Sequence, residues 1–260
     1  MSAYDFLADY YDDFQKDIDP CEWAQFIDGI VKKYGRTSGD GEAGRLLLCD
    51  LGCGTGLVTC ELSKMGYDTV GVDNSLPMLE RARTRAEEEG CPILWLCQDM
   101  TALDLYGTMD VFVSLLDTMN HITNKKDIVK LLKSFFCFLN PGGLFIFDVV
   151  TKKHFAETLG QGFFYSIEDD SAIFWENDYD EKAKMNTASL TMFGEQEDGR
   201  YERCDEDIVE RYYSDADIRE LVRSCGLEVV AVYGDRKRRK PNEKDERVFY
   251  CIRRPEETEK

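Results

Sequence analysis

The chain has 260 residues, 43% of them apolar and 32% charged, with a formal net charge of −19. That length and apolar share fit one large α/β domain, or a domain with a sizeable insertion, and argue against global disorder. The acidic balance argues against a broad nucleic-acid-binding surface, and no run of about 18 apolar residues is present to span a membrane.

The N-terminus, MSAYDFLADYYDDF, is acidic, with Tyr4, Phe6, Tyr10, Tyr11 and Phe14 interspersed. It lacks the basic and apolar regions of a signal peptide. The ten cysteines include no CxxC pair, and Cys49, Cys53, Cys60, Cys91, Cys97 and Cys137 mostly sit in apolar segments. Scattered thiols suit a reducing compartment, so the expectation is a cytoplasmic chain without disulfides or a metal site. DPCEWAQFIDGIVKKYG then predicts a helix. Asp19 is its N-cap, Pro20 fits the first turn, Trp23, Phe26, Ile27 and Ile30 form an apolar stripe, and Gly35 ends it. TSGDGEAG, residues 37–44, reads as a linker.

Strand and helix patterns alternate from residue 45. RLLLCDL, DTVGVD, PILWLCQD, MDVFVSLLD and GGLFIFDVV read as five buried strands. GLVTCELSKMG, SLPMLERARTRAEEEG (capped by Ser75) and NKKDIVKLLKSFFCFLN read as helices. This alternation predicts a parallel sheet covered on both faces. Residues 151–213 break the pattern: four aromatic, β-prone stretches separated by EDDS, DEKA and EDGR predict an inserted antiparallel sheet. SDADIRELVRSCG returns as a helix capped by Ser214, LEVVAVYGD and ERVFYCIRR close as a strand pair, and PEETEK frays. RKRRK, residues 236–240, reads as a solvated hairpin loop, with a local contact to RNA or an acidic partner as the other reading.

The first strand runs into Asp50-x-Gly52-x-Gly54-x-Gly56. Glycines allow a tight turn and close approach of a ligand to the backbone. The dinucleotide fingerprint needs a glycine where Leu57 stands, which disfavours a nicotinamide cofactor, and no P-loop pattern occurs.

CDLGCGTG resembles motif I of the class I S-adenosylmethionine-dependent methyltransferases, an acidic residue followed by x-G-x-G-x-G. VGVDNSLPMLERAR, WLCQDM, FVSLLDTMNHI and LNPGGLFIFDV resemble the motifs of their second to fifth strands, in order, over residues 45–150. The resemblance implies a doubly wound, Rossmann-like α/β fold with a seven-stranded, mostly parallel sheet in the order 3-2-1-4-5-7-6 and a small antiparallel β insertion. It divides the chain into an N-terminal helical lid and linker (1–44), a cofactor-binding core (45–150 and 214–254) and an insertion that roofs the substrate (151–213).

The same resemblance implies S-adenosylmethionine as cofactor. Its methionyl part is expected against Gly52 and Gly54, within a loop completed by Cys53 and Gly56. Asp50 is expected to face its amino group, directly or through water. Asp73 is expected to accept from both ribose hydroxyls, a role suited to a carboxylate with two oxygens. Asn74 and Met78 flank ribose and adenine. Asp99 accepts from the adenine amino group, Met100 offers a backbone N–H, and Leu116 and Asp117 line the region of the transferable methyl. FLADYYDDF resembles the A-x-x-Y-D segment of a subgroup of small, often bacterial, members, which brings Tyr11 to the cofactor and matches Asp12.

Methyl transfer from a sulfonium is an in-line displacement whose leaving group is already activated, so the protein mainly aligns the acceptor and excludes water. No Asn-Pro-Pro-Tyr-type tetrapeptide follows strand four, which counts against DNA-adenine or glutamine methylation; LDTMNHI stands there. Asn120, His121 and Tyr11 are the candidate catalytic residues, with a helix cap or core histidine as the other reading of the first two. His154 is read as a surface residue. Phe163, Phe164, Tyr165, Phe174, Trp175, Tyr179, Tyr212 and Tyr213 are candidates to line the acceptor pocket. The insertion carries sixteen acidic side chains against seven basic ones, which favours cationic or neutral acceptors such as amines. The expected function is methyl transfer to nitrogen or oxygen of a small molecule. Methylation of RNA or protein, and cofactor binding without catalysis, are the alternatives.

Overall fold

The computed structural model describes residue 8 and residues 10–35, 44–196 and 198–256. Tyr4, Phe6, residues 37–43 of the expected linker, Glu197 of the EDGR turn and the last four residues lie outside the described residues.

In chain order the strands are β1 (Leu47–Leu51), β2 (Asp68–Asp73), β3 (Ile93–Cys97), β4 (Met109–Ser114), β5 (Leu139–Val150), β6 (Phe163–Ile167), β7 (Ser171–Asp180), β8 (Met185–Glu195), β9 (Tyr201–Arg211), β10 (Glu228–Gly234) and β11 (Arg247–Arg253). Seven of them form one sheet in the order β10-β11-β5-β4-β1-β2-β3. Strands β1 to β5 are mutually parallel, and β11 and β10 close the edge antiparallel. Counted along the core alone, this is the expected order 3-2-1-4-5-7-6.

Period-two alternation explains why these strands are apolar throughout. Leu48, Val111, Val113, Leu144, Ile146 and Phe249 pack on one face beneath helix α2 (Pro20–Tyr34) and helix α3 (Leu57–Lys64). Cys49, Leu51, Phe112, Phe145, Phe147 and Tyr250 pack on the other beneath the helices Lys125–Phe138 and Asp215–Ser224. A sheet buried on both faces has no polar side to display. The caps read from sequence are in place. Asp19 accepts from the N–H groups of Cys21 and Glu22, Ser75 from Met78, and Ser214 forms a capping box with Asp217.

Strands β6 to β9 form a separate antiparallel sheet in sequential order. Its parity divides the predicted aromatic lining. Ile173, Trp175, Leu190 and Ile208 lie on the face packed toward Tyr11, whereas Phe163 and Tyr165 are exposed and flank Phe174 on the opposite face. Tyr213 is buried and donates its hydroxyl to the Ile122 carbonyl. Of the eight expected aromatics, Trp175 alone lines the cavity described below.

RKRRK is the loop of the β10–β11 hairpin, with Lys237, Arg238 and Lys240 exposed as expected; within it the Arg236 guanidinium lies 4.8 Å from the Trp23 ring centroid, and Arg239 is bonded to both oxygens of the buried Asp245. One further expectation changes. His154 opens a π-helical turn, His154–Leu159, and faces the cavity rather than the surface. Among the described residues, no helix is long and apolar enough to cross a membrane.

Candidate active site

The first site element is the turn between β1 and α3. Gly52, Gly54 and Gly56 all have positive φ, of 72°, 53° and 78°. They need glycine for different reasons. At Gly52 a Cβ would sit 2.3 Å from Thr118 Cγ2, so the turn abuts the segment after β4. At Gly56 it would meet the Trp95 ring at 2.7 Å, so that glycine serves helix packing. At Gly54 the nearest atom is Tyr11 Cε1 at 4.0 Å, and the turn is open there. Asp73 ends β2 beside it. One carboxylate oxygen accepts from the Gly54 N–H at 2.8 Å and the other from the Ser75 N–H at 2.9 Å. Burial raises the Asp73 carboxyl, and those two bonds oppose the rise.

The second element is the turn after β4. Leu116 and Asp117 both have positive φ, 57° and 58°, which non-glycine residues adopt at a cost. The fully buried Asp148 carboxylate of β5 holds them there, one oxygen taking the N–H of Leu116 and the other that of Asp117, both at 2.9 Å. Arg247 of β11 completes the triad. It bonds Asp148 and reaches Asp117 at 3.0 Å. Burial raises the Asp148 carboxyl and the guanidinium opposes it.

The third element is the short helix α1 (Tyr11–Phe14). Asp12 accepts from the Thr55 hydroxyl at 2.6 Å and pairs with Arg85 on helix α4 (Leu76–Glu89). Tyr10 packs against Gly194 of β8. The segment therefore bridges the glycine turn and the inserted sheet. Burial, then the charges of Asp117 and Asp73, raise the Tyr11 hydroxyl far above its ordinary range, so it stays protonated.

These elements enclose one cavity of about 690 Å³. Gly52, Gly54, Asp73, Asn74, Met78, Asp99 and Met100 line one part of its wall, and Tyr11, Leu116, Asp117 and His121 line another. Ile173, Trp175, Asn177, Leu190, Ile208 and Glu210 of the inserted sheet line the rest. Burial lowers the His121 imidazole, which favours its neutral form. Asp99 accepts from the backbone and hydroxyl of Thr101, capping the 3-10 turn Met100–Ala102.

Four expected site residues stand apart. Asp50 is buried under the turn and accepts from the Thr59 hydroxyl at 2.6 Å; burial pushes its carboxyl up to about 7. Cys53 and Gly56 face the protein interior around Trp95. Asn120 is corrected as a catalytic candidate. It is 0% exposed, its Nδ2 donates to the Arg211 carbonyl at 2.8 Å, and its Oδ1 accepts from the Val150 N–H at 3.1 Å. Both ends of that amide are occupied by backbone.

Sequence reasoning missed Asn177 and Glu210, which bring polar groups into an apolar wall. Strand parity was the available signal, because Glu210 shares a face with Ile208. It also missed Arg247, whose partners lie about a hundred residues away in the chain.

The cavity fits the cofactor that the glycine turn suggests: an open glycine, a buried carboxylate at the end of β2, and an apolar strip beside it. Comparison with known proteins gives the same result. The family described as a methyltransferase domain matches residues 48–143. The methyltransferase-family protein YqeM of Bacillus subtilis (strain 168) is 27% identical over 250 residues, covering 95% of each chain. The crystal structure of an S-adenosylmethionine-dependent methyltransferase from Clostridium acetobutylicum ATCC 824 superposes with a TM-score of 0.82 at 26% identity, over 98% of this chain and 100% of that one. The sugar N-methyltransferase KedS8 from Streptoalloteichus sp ATCC 53650 shares the fold, with a TM-score of 0.73 at 15% identity over 95% of this chain and 93% of its own. With this turn, this strand order and these relatives, residues 48–143 match a methyltransferase domain, and the chain resembles the class I S-adenosylmethionine-dependent methyltransferases over nearly its whole length.

Proposed function

We propose that the protein transfers a methyl group to nitrogen or oxygen of a small-molecule acceptor held between the glycine turn and the inserted sheet. One observation carries this reading: a single cavity of about 690 Å³ is walled partly by the cofactor-type residues and partly by β7, β8 and β9. Bound S-adenosylmethionine supplies an activated methyl on a sulfonium.

The chain's own residues bind, orient and exclude water. Asp73 offers its remaining lone pairs to the ribose hydroxyls. Gly52 and Gly54 give backbone access to the methionyl part, and Asp50 acts from beneath the turn through water. Asn74 and Met78 flank the ribose and adenine, with Asp99 and Met100 at the adenine edge. Leu116 and Asp117, held rigid by Asp148, line the methyl end. His121 stands beside them on the acceptor side, and Tyr11 covers Gly54. On this reading residues 45–150 and 214–254 serve the cofactor, residues 151–213 roof the acceptor, and α1 acts as a lid. The RKRRK loop favours a small acceptor over RNA, since Arg236 and Arg239 already pair with Glu22 and Asp245. All ten cysteines are free, which suits a cytoplasmic setting.

Calorimetric titration of S-adenosylmethionine and S-adenosylhomocysteine into the wild type and Asp73→Ala tests the reading. Both ligands are expected to bind the wild type, and the variant to lose about 1–3 kcal/mol. Absence of binding, or equal affinity in the variant, would reject it.

A further inference from the structure

Three strands of the inserted sheet bring a polar patch into an apolar wall. Asn177 of β7, Asn186 of β8 and Glu210 of β9 are all buried, Glu210 being 8% exposed. Register explains the grouping. Asn186 stands opposite Glu210 on one side and opposite Tyr179 on the other, which leaves Asn177 on the diagonal. Asn186 Nδ2 donates to Asn177 Oδ1 at 3.3 Å and to Glu210 Oε2 at 3.4 Å. Those bonds satisfy only part of the patch. Glu210 Oε1, Asn177 Nδ2 and Asn186 Oδ1 are buried with no hydrogen-bond partner among the described residues. Buried polar atoms are rarely left so, and a ligand is one explanation. Glu210 and Asn177 both line the cavity. Across from them, the Asp117 carboxylate and the His121 ring present atoms that lie, together with a Glu210 oxygen, within 4.8 Å of one another.

We infer that this patch receives the amino group of the acceptor, a primary or secondary amine that arrives as an ammonium ion, and that Glu210 takes its proton. The inference rests on the methyl-transfer reading and names its acceptor class. In the step, the ammonium N–H bond breaks and its proton forms the Glu210 O–H bond, leaving a neutral amine. The nitrogen lone pair then forms the C–N bond as the methyl C–S bond breaks, and that electron pair stays on sulfur. The product is a methylated ammonium ion, and Glu210 returns its proton to solvent.

The surroundings favour an amine over other occupants. An ammonium carries several N–H donors and no acceptor, and it meets two carboxylates and an imidazole. Arg247 lies 3.0 Å from Asp117, so a divalent metal would face a guanidinium bonded to one of its own ligands. An alcohol has one donor to offer the same acceptors. Asn177 Nδ2 remains as a donor for an oxygen carried next to the amine. Asp117 and His121 present atoms close to Glu210, Arg247 acts on it through its charge, and Tyr11 and His154 line the same cavity. Burial and the Asp117 charge push the Glu210 carboxyl up to about 8, against the Asn186 bond and Arg247, so it becomes free to take a proton as pH rises through that value, where an aliphatic amine is still largely an ammonium ion.

The test uses the full chain as wild type, Glu210→Gln and Glu210→Asp. Affinity for S-adenosylhomocysteine is measured first; its absence in the wild type overturns the parent reading, separately from this one. Ethanolamine, 2-aminocyclohexanol, glucosamine and their N-methyl derivatives, with the matching alcohols and carboxylates, are then titrated into the S-adenosylhomocysteine complex by ligand-observed NMR across pH 6–10 (roughly the span around the carboxyl). Turnover is followed by S-adenosylhomocysteine release.

Amines are expected to bind and to be methylated, while alcohols and carboxylates are not. Glu210→Gln is expected to keep cofactor affinity, lose at least about tenfold in kcat/KM and lose the acidic limb of the pH profile, with partial recovery in Glu210→Asp. Three results would overturn the inference: no amine binding to a cofactor-competent wild type, preference for alcohols, or an unchanged rate and pH profile in Glu210→Gln. Turnover that requires an added divalent cation and stops on chelation would assign the cluster to a metal and overturn it as well.

Discussion

Asp148 does not line the cavity, yet it sets the shape of the wall beside it. Its two oxygens hold the backbone of Leu116 and Asp117 in left-handed conformations, and Arg247 balances its charge where water does not reach. Removing the arginine leaves a buried carboxylate without its counter-charge, a more costly change than replacing the whole pair. Arg247→Ala is therefore expected to lose about 3–5 kcal/mol of stability, read as a drop in the chemical-denaturation midpoint. A loss under about 1 kcal/mol, the range of an exposed pair, would refute the account in which Arg247 neutralises the buried Asp148. The two halves of this arrangement differed in legibility. Asp148 sits in LFIFDVV, which resembles a fifth-strand motif, but sequence alone shows neither its structural role nor which of 32 basic residues folds back onto it. Asp73 was easier, because a carboxylate at the end of a buried strand next to a glycine turn has few structural uses.

Helix α1 is only four residues long, too short to be stable alone, and its order comes from what it touches. Asp12 ties it to Thr55 and Arg85, Tyr11 lies over Gly54, and Tyr10 rests on β8. On the lid reading proposed above, this element opens without disturbing the sheets. Asp12→Ala is expected to speed S-adenosylmethionine release in stopped-flow fluorescence while the thermal midpoint stays nearly unchanged. An unchanged release rate would argue that α1 is fixed packing rather than a lid. The strands of both sheets were legible because apolar runs and turn residues mark them locally. The face of each insert strand was not. An aromatic at alternate positions looks the same inward or outward, and the structure turns Phe163, Tyr165 and Phe174 away from the cavity. The π-helical turn after β5 left no local signature either.

Across the whole molecule, two buried carboxyls couple folding to pH. Burial pushes Asp50 from 3.8 up to about 7 and Glu210 from 4.5 up to about 8. Between each pair of values the folded chain holds a proton that the unfolded chain has released, so stability falls as pH rises through that window. Asp50→Asn keeps an acceptor for Thr59 and removes one such titration. Its stability relative to the wild type is expected to rise between about pH 4 and pH 7 in denaturant melts, and a constant difference would contradict a raised Asp50. The opposite slope at lower pH comes from Asp217, Asp245 and Glu246, whose cationic partners hold them below the carboxylate range. The seven-strand order was readable at this scale because five motifs in order carry the resemblance to a family whose sheet runs 3-2-1-4-5-7-6. The link between the two sheets was not readable, and it depends on Asn120, which bonds Val150 where the chain leaves the large sheet and Arg211 where it returns. One side chain thus pins both ends of the intervening 60-odd residues at nearly one point. In engineering terms the second sheet is a cassette with both ends at one place, and the bonds from Arg211 to Thr123 and from Lys184 to Asp217 are the further ties that a graft would have to keep.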